Sequence, residues 1–456
     1  MKRLILLPLI CLPLLLAPMG AVGKEAGKEG NQEQILYRDL ETFANILTLI
    51  QQYYVDPVDA NKVITGAING MMATLDPHSA YMSPEDFKEL EEETTGSFTG
   101  IGIEISIRDG QLTAVAPIEG TPADRKNIQP GDQILRIDGA PTKDMTLLEA
   151  TKKLRGPKGS TVTITVIRKG WATPRDIALV REAIPLASVK VMELEPGYAC
   201  VRISSFQTAT AADVKKAIQN LRQKGPIRGM ILDLRNNPGG LLDQAIKVTD
   251  LFLDRGVIVS TRGRNKEEHI TFRAHEEDGA YTFPLAILVN SGSASGSEIV
   301  AGALQDHKRA IIIGTTTFGK GSVQTVLPLL DGSGLRLTTA KYYTPSGDSI
   351  QARGIRPNMV VALKSSATAV KTAGAPIREK DLPQHLLNET EESGPSVAGT
   401  EAGEEDQKET FQEVNDIKQV GLRLAQDNQL RTALLVLKSQ TPKENKPPKT
   451  NTAGAR

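Results

Sequence analysis

Two short apolar runs constrain the fold of this chain more than any other feature. Met230-Ile231-Leu232 passes straight into Asp233-Leu234-Arg235-Asn236-Asn237-Pro238-Gly239-Gly240, and PLAILVN, residues 284–290, passes into Ser291-Gly292-Ser293-Ala294-Ser295-Gly296-Ser297-Glu298. Continuous apolar segments this short, bounded by turn residues, read as strands buried on both faces. Each turn is followed by a helical pattern, LLDQAIKVTDLFL in one case and IVAGALQDH in the other. Strands alternating with helices need crossover connections and a partly parallel sheet, so the fold class is mixed α/β, with this core over residues 184–365. In such sheets ligands gather where strands end and helices begin. Both glycine turns sit at such points.

A different period precedes the core. Ile101, Ile103, Ile105 and Ile107 alternate with Gly102, Glu104 and Ser106, the pattern of a half-buried strand. A strand QLTAVA, a short helix TPADRKN, a strand QILRID, a helix TLLEATKKL and a strand TVTITVIR follow, closing near Lys169. This describes a partly open barrel with two helices, inserted over residues 96–183. Gly100-Ile101-Gly102-Ile103 opening a strand, with GDQILRIDG downstream, resembles a PDZ domain. The resemblance implies that Gly100, Ile101, Gly102 and Ile103 receive a peptide: backbone amides cradle its carboxylate and the strand edge accepts it as an added strand. Arg155, in LRGPKG, is either a sensor of that carboxylate or a solvated surface arginine.

The flanks are of another character. Met1-Lys2-Arg3 followed by a leucine-rich stretch and small residues has the form of a secretory signal over residues 1–23. Its apolar run is shorter than the roughly 20 residues of a spanning helix, and prolines interrupt it. Export, to a periplasmic or other extracytoplasmic site, is therefore expected. Residues 24–95 read as helical: Leu36, Leu40, Phe43, Leu47, Ile50 and Tyr54 recur at three- and four-residue steps, and VITGAINGMMATL leads into the turn Asp76-Pro77-His78-Ser79. Residues 366–408 carry few large apolar side chains and read as a flexible linker. Phe411, Val414, Ile417, Val420, Leu424, Leu430, Leu434 and Leu437 then follow helical spacing within 409–440, a segment that either docks on its own core or binds a partner, a second copy included. Residues 441–456 read as a disordered tail.

Composition removes several function classes. The 456 residues contain 54 Lys and Arg against 54 Asp and Glu, and a neutral chain lacks the basic surface of a general nucleic-acid binder. Two cysteines, Cys11 in the signal and Cys200 in the strand-like YACVRI, give no disulfide framework. The five histidines, His78, His269, His275, His307 and His385, show no zinc spacing, and no metal or other cofactor is expected. GTTTFGKGS lacks the phosphate-loop order, because Gly321 follows Lys320. What remains is a serine at a helix start and a lysine between glycines. A serine hydroxyl needs a base. A lysine can serve when burial lowers its pKa, and a helix N-terminus suits an oxyanion.

SGSASGSEI followed by FGKGSVQ resembles the carboxyl-terminal processing peptidases, or tail-specific proteases. Ser295 and Lys320 are 25 positions apart and Gln324 lies 4 further on, as in that family's Ser/Lys/Gln arrangement. With LDPHSAYM, the PDZ-like unit and DLRNNPGG, the resemblance spans roughly residues 35–365. It implies that Ser295 is the nucleophile, Lys320 the general base and Gln324 the group orienting the lysine. The oxyanion donors would be the amide of Gly296 and one from Gly239 or Gly240. The family usually has alanine where Gly296 stands, which leaves the amide in place on a looser loop. Ser293 is the nearest competing serine, and the family spacing points away from it. The implied activity is an exported serine endopeptidase that cuts unfolded or exposed protein substrates near their C-termini. Its other implied partners are an activating protein and a second copy met through the terminal helices. Two rivals stand beside it: a secreted PDZ scaffold with an inactive or partner-dependent core, and a Ser/Lys amidase or transferase.

Overall fold

The computed structural model describes residues 26–108, 110–275, 280–363, 376–389 and 417–440. The chain divides into two compact units, 1–71 and 72–456. The first holds α1 (Ala26–Tyr53) and most of α2 (Ala60–Ala73). On α1 the apolar residues Leu36, Leu40, Phe43 and Leu49 are all exposed.

The second unit opens on the strand Ala80–Met82 and α3 (Pro84–Thr95). Ser83 caps α3, its Oγ accepting from the Asp86 amide at 3.2 Å, and Gly96 ends it at φ 72°. Ser97–Gly100 then pairs antiparallel with Glu182–Pro185, a two-stranded neck through which the chain enters and leaves an inserted barrel. The barrel sheet runs Ile103–Arg108, Gln111–Pro117, Gln133–Ile137, Thr161–Ile167 and Arg175–Val180, with Ala140–Pro141 paired to the third strand. It is closed by α4 (Pro122–Arg125) and α5 (Leu147–Leu154) around Ile101, Leu112, Ile134, Ile164 and Leu179. The alternation from Ile101 predicts one strand, and the chain instead breaks at Gly102. Its φ is +74°, and a Cβ there would lie 2.3 Å from Thr121, so only glycine fits.

The α/β core is a six-stranded sheet in the order Val189–Glu195, Tyr198–Ile203, Gly229–Asp233, Leu285–Val289, Ile311–Gly314, Met359–Val360. The first pair is antiparallel and the rest are parallel. Side chains alternate between its faces. One face, with Val201, Met230, Leu232 and Ile287, packs on α6 (Thr210–Lys224), α7 (Leu242–Asp250) and α8 (Gly296–Asp306). The other face presents Met192, Cys200, Ile231, Leu288 and Ile313 to α9 (Ile417–Gln426) and α10 (Asn428–Gln440) through Val420, Leu430, Ala433, Leu434 and Leu437. Cys200 is fully buried, and burial together with the nearby Asp233 charge pushes its thiol far up, as expected of a core residue. A second, antiparallel sheet runs Ala80–Met82, Gly334–Tyr343, Val257–Gly263, Ile270–Arg273, with Ser322–Pro328 also paired to Gly334–Tyr343.

The C-terminal part refines one expectation and overturns part of another. The helical region over 409–440 is two helices within its described residues, broken at Asp427, whose Oδ1 accepts from the Leu430 amide at 2.8 Å and starts α10. The pair docks on its own core. The linker reading over 366–408 fails for residues 376–389, where Glu379 and Asn388 are buried: polar side chains, not apolar ones, fasten this stretch. The signal over 1–23, Phe411, Val414 and the tail over 441–456 lie outside the described residues. No described helix is long and apolar enough to cross a membrane.

Candidate active site

Ser295 stands at the N-terminus of α8 with φ 51° and ψ −111°. A non-glycine residue in that region carries strain of about 1–3 kcal/mol, and its neighbours must hold it there. The amide of Ser295 donates to Glu298 Oε2 at 2.9 Å, while Ser297 Oγ donates to the Asn237 carbonyl at 2.9 Å and the Ala294 amide to the same carbonyl at 3.0 Å. Asn237 in turn sends Nδ2 to the Ile203 carbonyl at 2.9 Å. The two glycine turns singled out in the sequence are therefore one structure. A Cβ on Gly239 would meet that of Ser295 at 2.8 Å, which explains the glycine at the point of closest approach.

The amide donors around Ser295 differ in availability. That of Gly239 is already given to Asn237 Oδ1 at 2.9 Å. Gly240 bridges to Phe206 through its neighbours, Phe206 N donating to Gly239 O and Leu241 N to Phe206 O, both at 2.8 Å. Among the described residues the amides of Gly240 and Gly296 have no acceptor. Gly296 is not on a loose loop. It is the first residue of α8, and a Cβ there would lie 3.0 Å from Phe206 Cδ2 and 3.3 Å from the Ala245 methyl. Ser293 is fully buried, its Oγ donating to the Leu234 carbonyl at 2.8 Å. That hydroxyl is committed to the scaffold.

Lys320 lies in the turn between Ile311–Gly314 and Ser322–Pro328, bonded through its amide to the same glutamate as Ser295. Glu298, fully buried on α8, holds that turn: its Oε1 accepts from Thr317 Oγ1 and from the Gly319 amide at 2.7 Å, and its Oε2 from the Lys320 amide at 2.9 Å. Burial pushes the Glu298 carboxyl up to about 7, against the pull of these three donors and of the Ser295 amide. Burial likewise lowers the Lys320 pKa, and the charge of Arg336 lowers it further; Glu379, Glu298 and Asp76 pull it back up. Tyr342 is buried beside the Ser295 side chain, with its phenol pushed up to about 12 by burial, and its amide donates to the Gly321 carbonyl at 2.7 Å.

Gln324 is on the strand next to Lys320, just past a bulge at 323–324, with its Nε2 donating to Ser322 Oγ at 2.8 Å. Among the described residues it makes no hydrogen bond to Lys320, and none joins Ser295 Oγ to Lys320 Nζ. No catalytic motif in the sequence marks Glu298 or Tyr342 as part of the site. The signal for Glu298 was present in its place three residues after Ser295, the capping-box spacing.

In the barrel, Gly100 ends the neck strand, Ile101 is buried and Ile103 starts the first barrel strand. The carbonyls of Ile101 and Gly102 accept from Ala123 and Ile118, each at 2.9 Å, which fixes the turn. Arg155 caps α5 with its NH1 3.2 Å from Glu92 of α3 and its guanidinium 4.7 Å from the Phe98 ring centroid. It is a paired residue at the neck. Among the described residues no group of His, Cys, Asp and Glu is arranged to hold a metal ion.

Residues 197–361 match the model of peptidase family S41, residues 90–167 that of the PDZ domain, and residues 19–86 that of the activating protease CtpB N-terminal domain. The chain is 48% identical over 335 residues to a carboxy-terminal-processing protease of Bartonella bacilliformis, covering 73% of this chain and 77% of that one. It is 38% identical over 320 residues to the carboxy-terminal processing protease CtpA of Bacillus subtilis, covering 70% and 68%. Among solved structures, the photosystem II D1 C-terminal processing protease is 31% identical, over 70% of this chain and 92% of that one, with a TM-score of 0.41.

Proposed function

The chain belongs to the carboxy-terminal-processing proteases of peptidase family S41, and from that premise we propose that it is an exported serine endopeptidase working through Ser295 and Lys320. Its PDZ domain binds the C-termini of unfolded or exposed protein substrates. One observation carries the reading: the Ser295 and Lys320 amides share one carboxylate oxygen of Glu298, so the strained serine and the desolvated lysine are fastened to one point.

In the acylation step Ser295 Oγ attacks the scissile carbonyl carbon while its proton passes to Lys320 Nζ. The carbonyl oxygen becomes an oxyanion, facing the amides of Gly240 and Gly296 and the positive end of α8. When the intermediate collapses the C–N bond breaks, and Lys320 returns the proton to the leaving amine. A water then attacks the acyl-enzyme, giving its proton to Lys320; the C–Oγ bond breaks as Lys320 returns that proton to Ser295 Oγ, which restores both residues. Gln324 orients Lys320 once it leaves Ser322, a step suited to control by substrate or by an activating partner. Gly100, Ile101, Gly102 and Ile103 take the substrate carboxylate and raise its effective concentration at the site.

The test is cleavage of a peptide with an apolar, uncharged C-terminus by the full chain and by its Ser295→Ala variant. The wild type should cut it and the variant should not, and amidating the peptide terminus should sharply slow cutting. Equal inertness of both proteins, with and without candidate activators, would reduce the chain to a scaffold.

A further inference from the structure

We propose that Glu379 is a positioning residue for the general base, seated against the 318–321 turn by His78 and Gln351. The inference rests on the assignment of Lys320 as base. Gln351 lies within the stretch that matches the peptidase family, whereas His78 lies ahead of the PDZ domain and Glu379 beyond residue 361.

Glu379 is fully buried although it lies in a short polar stretch between 376 and 389. A buried carboxylate needs partners, and this one has specific ones. His78 Nε2 is 2.7 Å from Oε2 and 2.9 Å from Oε1, and Gln351 Nε2 donates to Oε1 at 2.9 Å. The same residues grip the lysine turn. The Glu379 amide donates to the Phe318 carbonyl at 3.2 Å, and the Gly321 amide donates to Gln351 Oε1 at 2.9 Å. A Cβ on Gly321 would lie 2.3 Å from the Gln351 amide nitrogen, so the two segments are in closest contact there. Glu298 thus holds the turn from the α8 side, and Glu379 with Gln351 holds it from the other.

His78 is held as tightly. Asp76 Oδ1 accepts its amide at 2.8 Å, and Arg336 Nε donates to its carbonyl at 3.0 Å. Asp76 also takes the Ser79 hydroxyl at 2.7 Å and the Thr338 hydroxyl at 3.1 Å. The charges that bear on Lys320 are those of Arg336 from the central strand of the second sheet, which lowers its pKa, and of Glu379, Glu298 from α8 and Asp76 from the turn after α2, which raise it. When Lys320 takes the Ser295 proton it becomes an ammonium in a desolvated place. Glu379 is one of three carboxylates that offset Arg336 there, and it is fixed before the charge appears. The role is electrostatic and geometric, at one remove from the reacting atoms.

The experiment is kcat and KM of the full chain on a peptide with an apolar C-terminus, from about pH 5 to about pH 10, with unfolding followed in parallel. Glu379→Gln should move the acidic limb of kcat/KM down by roughly one unit, because the lysine loses an attracting charge, and should lower the plateau kcat roughly tenfold with KM little changed. Glu379→Asp should restore the position of the limb. His78→Gln should lower kcat, and the double variant should lose no more than Glu379→Gln alone, since both act through one contact. A folded Glu379→Gln whose limb coincides with that of the wild type overturns the proposal, as do additive losses in the double variant. If Glu379→Gln does not fold, an unchanged kcat in His78→Gln overturns it equally. Lys320→Ala separates the layers: activity surviving there removes the base assignment itself, whereas an inactive Lys320→Ala beside an unmoved limb removes only the role of Glu379.

Discussion

The amide of Lys320 donates to Glu298 Oε2 at 2.9 Å, and that same oxygen receives the amide of Ser295 at 2.9 Å. The distance between Ser295 and Lys320 is thus governed by a third side chain that bonds to their backbone amides and to neither the Ser295 hydroxyl nor the Lys320 amine. Replacing Glu298 with Gln removes the acceptor at Oε2 and sets a donor against two amides. Two buried N–H groups then go unsatisfied, at about 1–3 kcal/mol each. Glu298→Gln should lower kcat roughly a hundredfold with KM little changed, read from steady-state cleavage.

Glu298 should also leave a mark on stability. Its folded pKa, about 7, lies above the ordinary 4.5. A raised carboxyl contributes stability that is complete below the unfolded value and is lost as pH rises through the folded one. Denaturant titrations should therefore show a stability decline of the order of 2–3 kcal/mol between about pH 4.5 and about pH 7, over and above other groups. Glu298→Gln should flatten that slope, whatever its effect on absolute stability.

The backbone of Ser295 yields an independent prediction. At φ 51° and ψ −111° a side chain is strained and glycine is not. Ser295→Ala and Ser295→Gly should both be inactive. Ser295→Gly should nevertheless be the more stable by about 1 kcal/mol in urea unfolding.

Gly296→Ala probes how tightly the helix start is packed. The new methyl would press on Phe206 at 3.0 Å, a contact that a shift of a few tenths of an ångström relieves. The expected cost is about 1 kcal/mol, with kcat/KM within roughly threefold of wild type, because the proposed oxyanion donor is the amide and not the side chain.

How much of this was legible beforehand divides along physical lines. The buried strands, the glycine turns and the barrel order follow from periodicity and from residues with few alternatives, and these place Ser295, Gly239, Gly240 and Lys320 at strand ends. Gly102 broke the predicted strand because one steric contact with Thr121 outweighs an alternating pattern. The linker expectation fails at Glu379 and Asn388 because polar burial is decided by partners elsewhere in the sequence, His78 for Glu379, 301 positions distant, and Gln351 for Asn388. Spacing alone could not show that Gln324 is engaged by Ser322, or that Ser293 supports the Leu234 carbonyl. Both are matters of side-chain direction.

Arg235 completes a buried ion cluster with Asp233 at 2.8 Å and with Asp427, also at 2.8 Å, while Gln429 accepts from it at 3.0 Å. Burial works against every charge here, yet Arg235 and Arg202 hold Asp233 below the usual carboxylate range and Arg235 is raised well above its own. Asp427→Ala leaves Arg235 short of one partner and should cost about 3–5 kcal/mol, measured by denaturant unfolding. Activity should fall with it, since Arg235 sits at the root of the turn that carries Gly240.

That cluster has a consequence in time. A growing chain presents Ser295, Lys320 and the turn at 236–240 long before residue 427 exists. Until α10 is made, the Met192 and Ile231 face of the sheet is bare and Arg235 has Asp233 but neither Asp427 nor Gln429, so the chain has its chemical groups without the whole frame that aims them. The frame that aims Ser295 and Lys320 is thereby complete only once α10 has docked on the sheet.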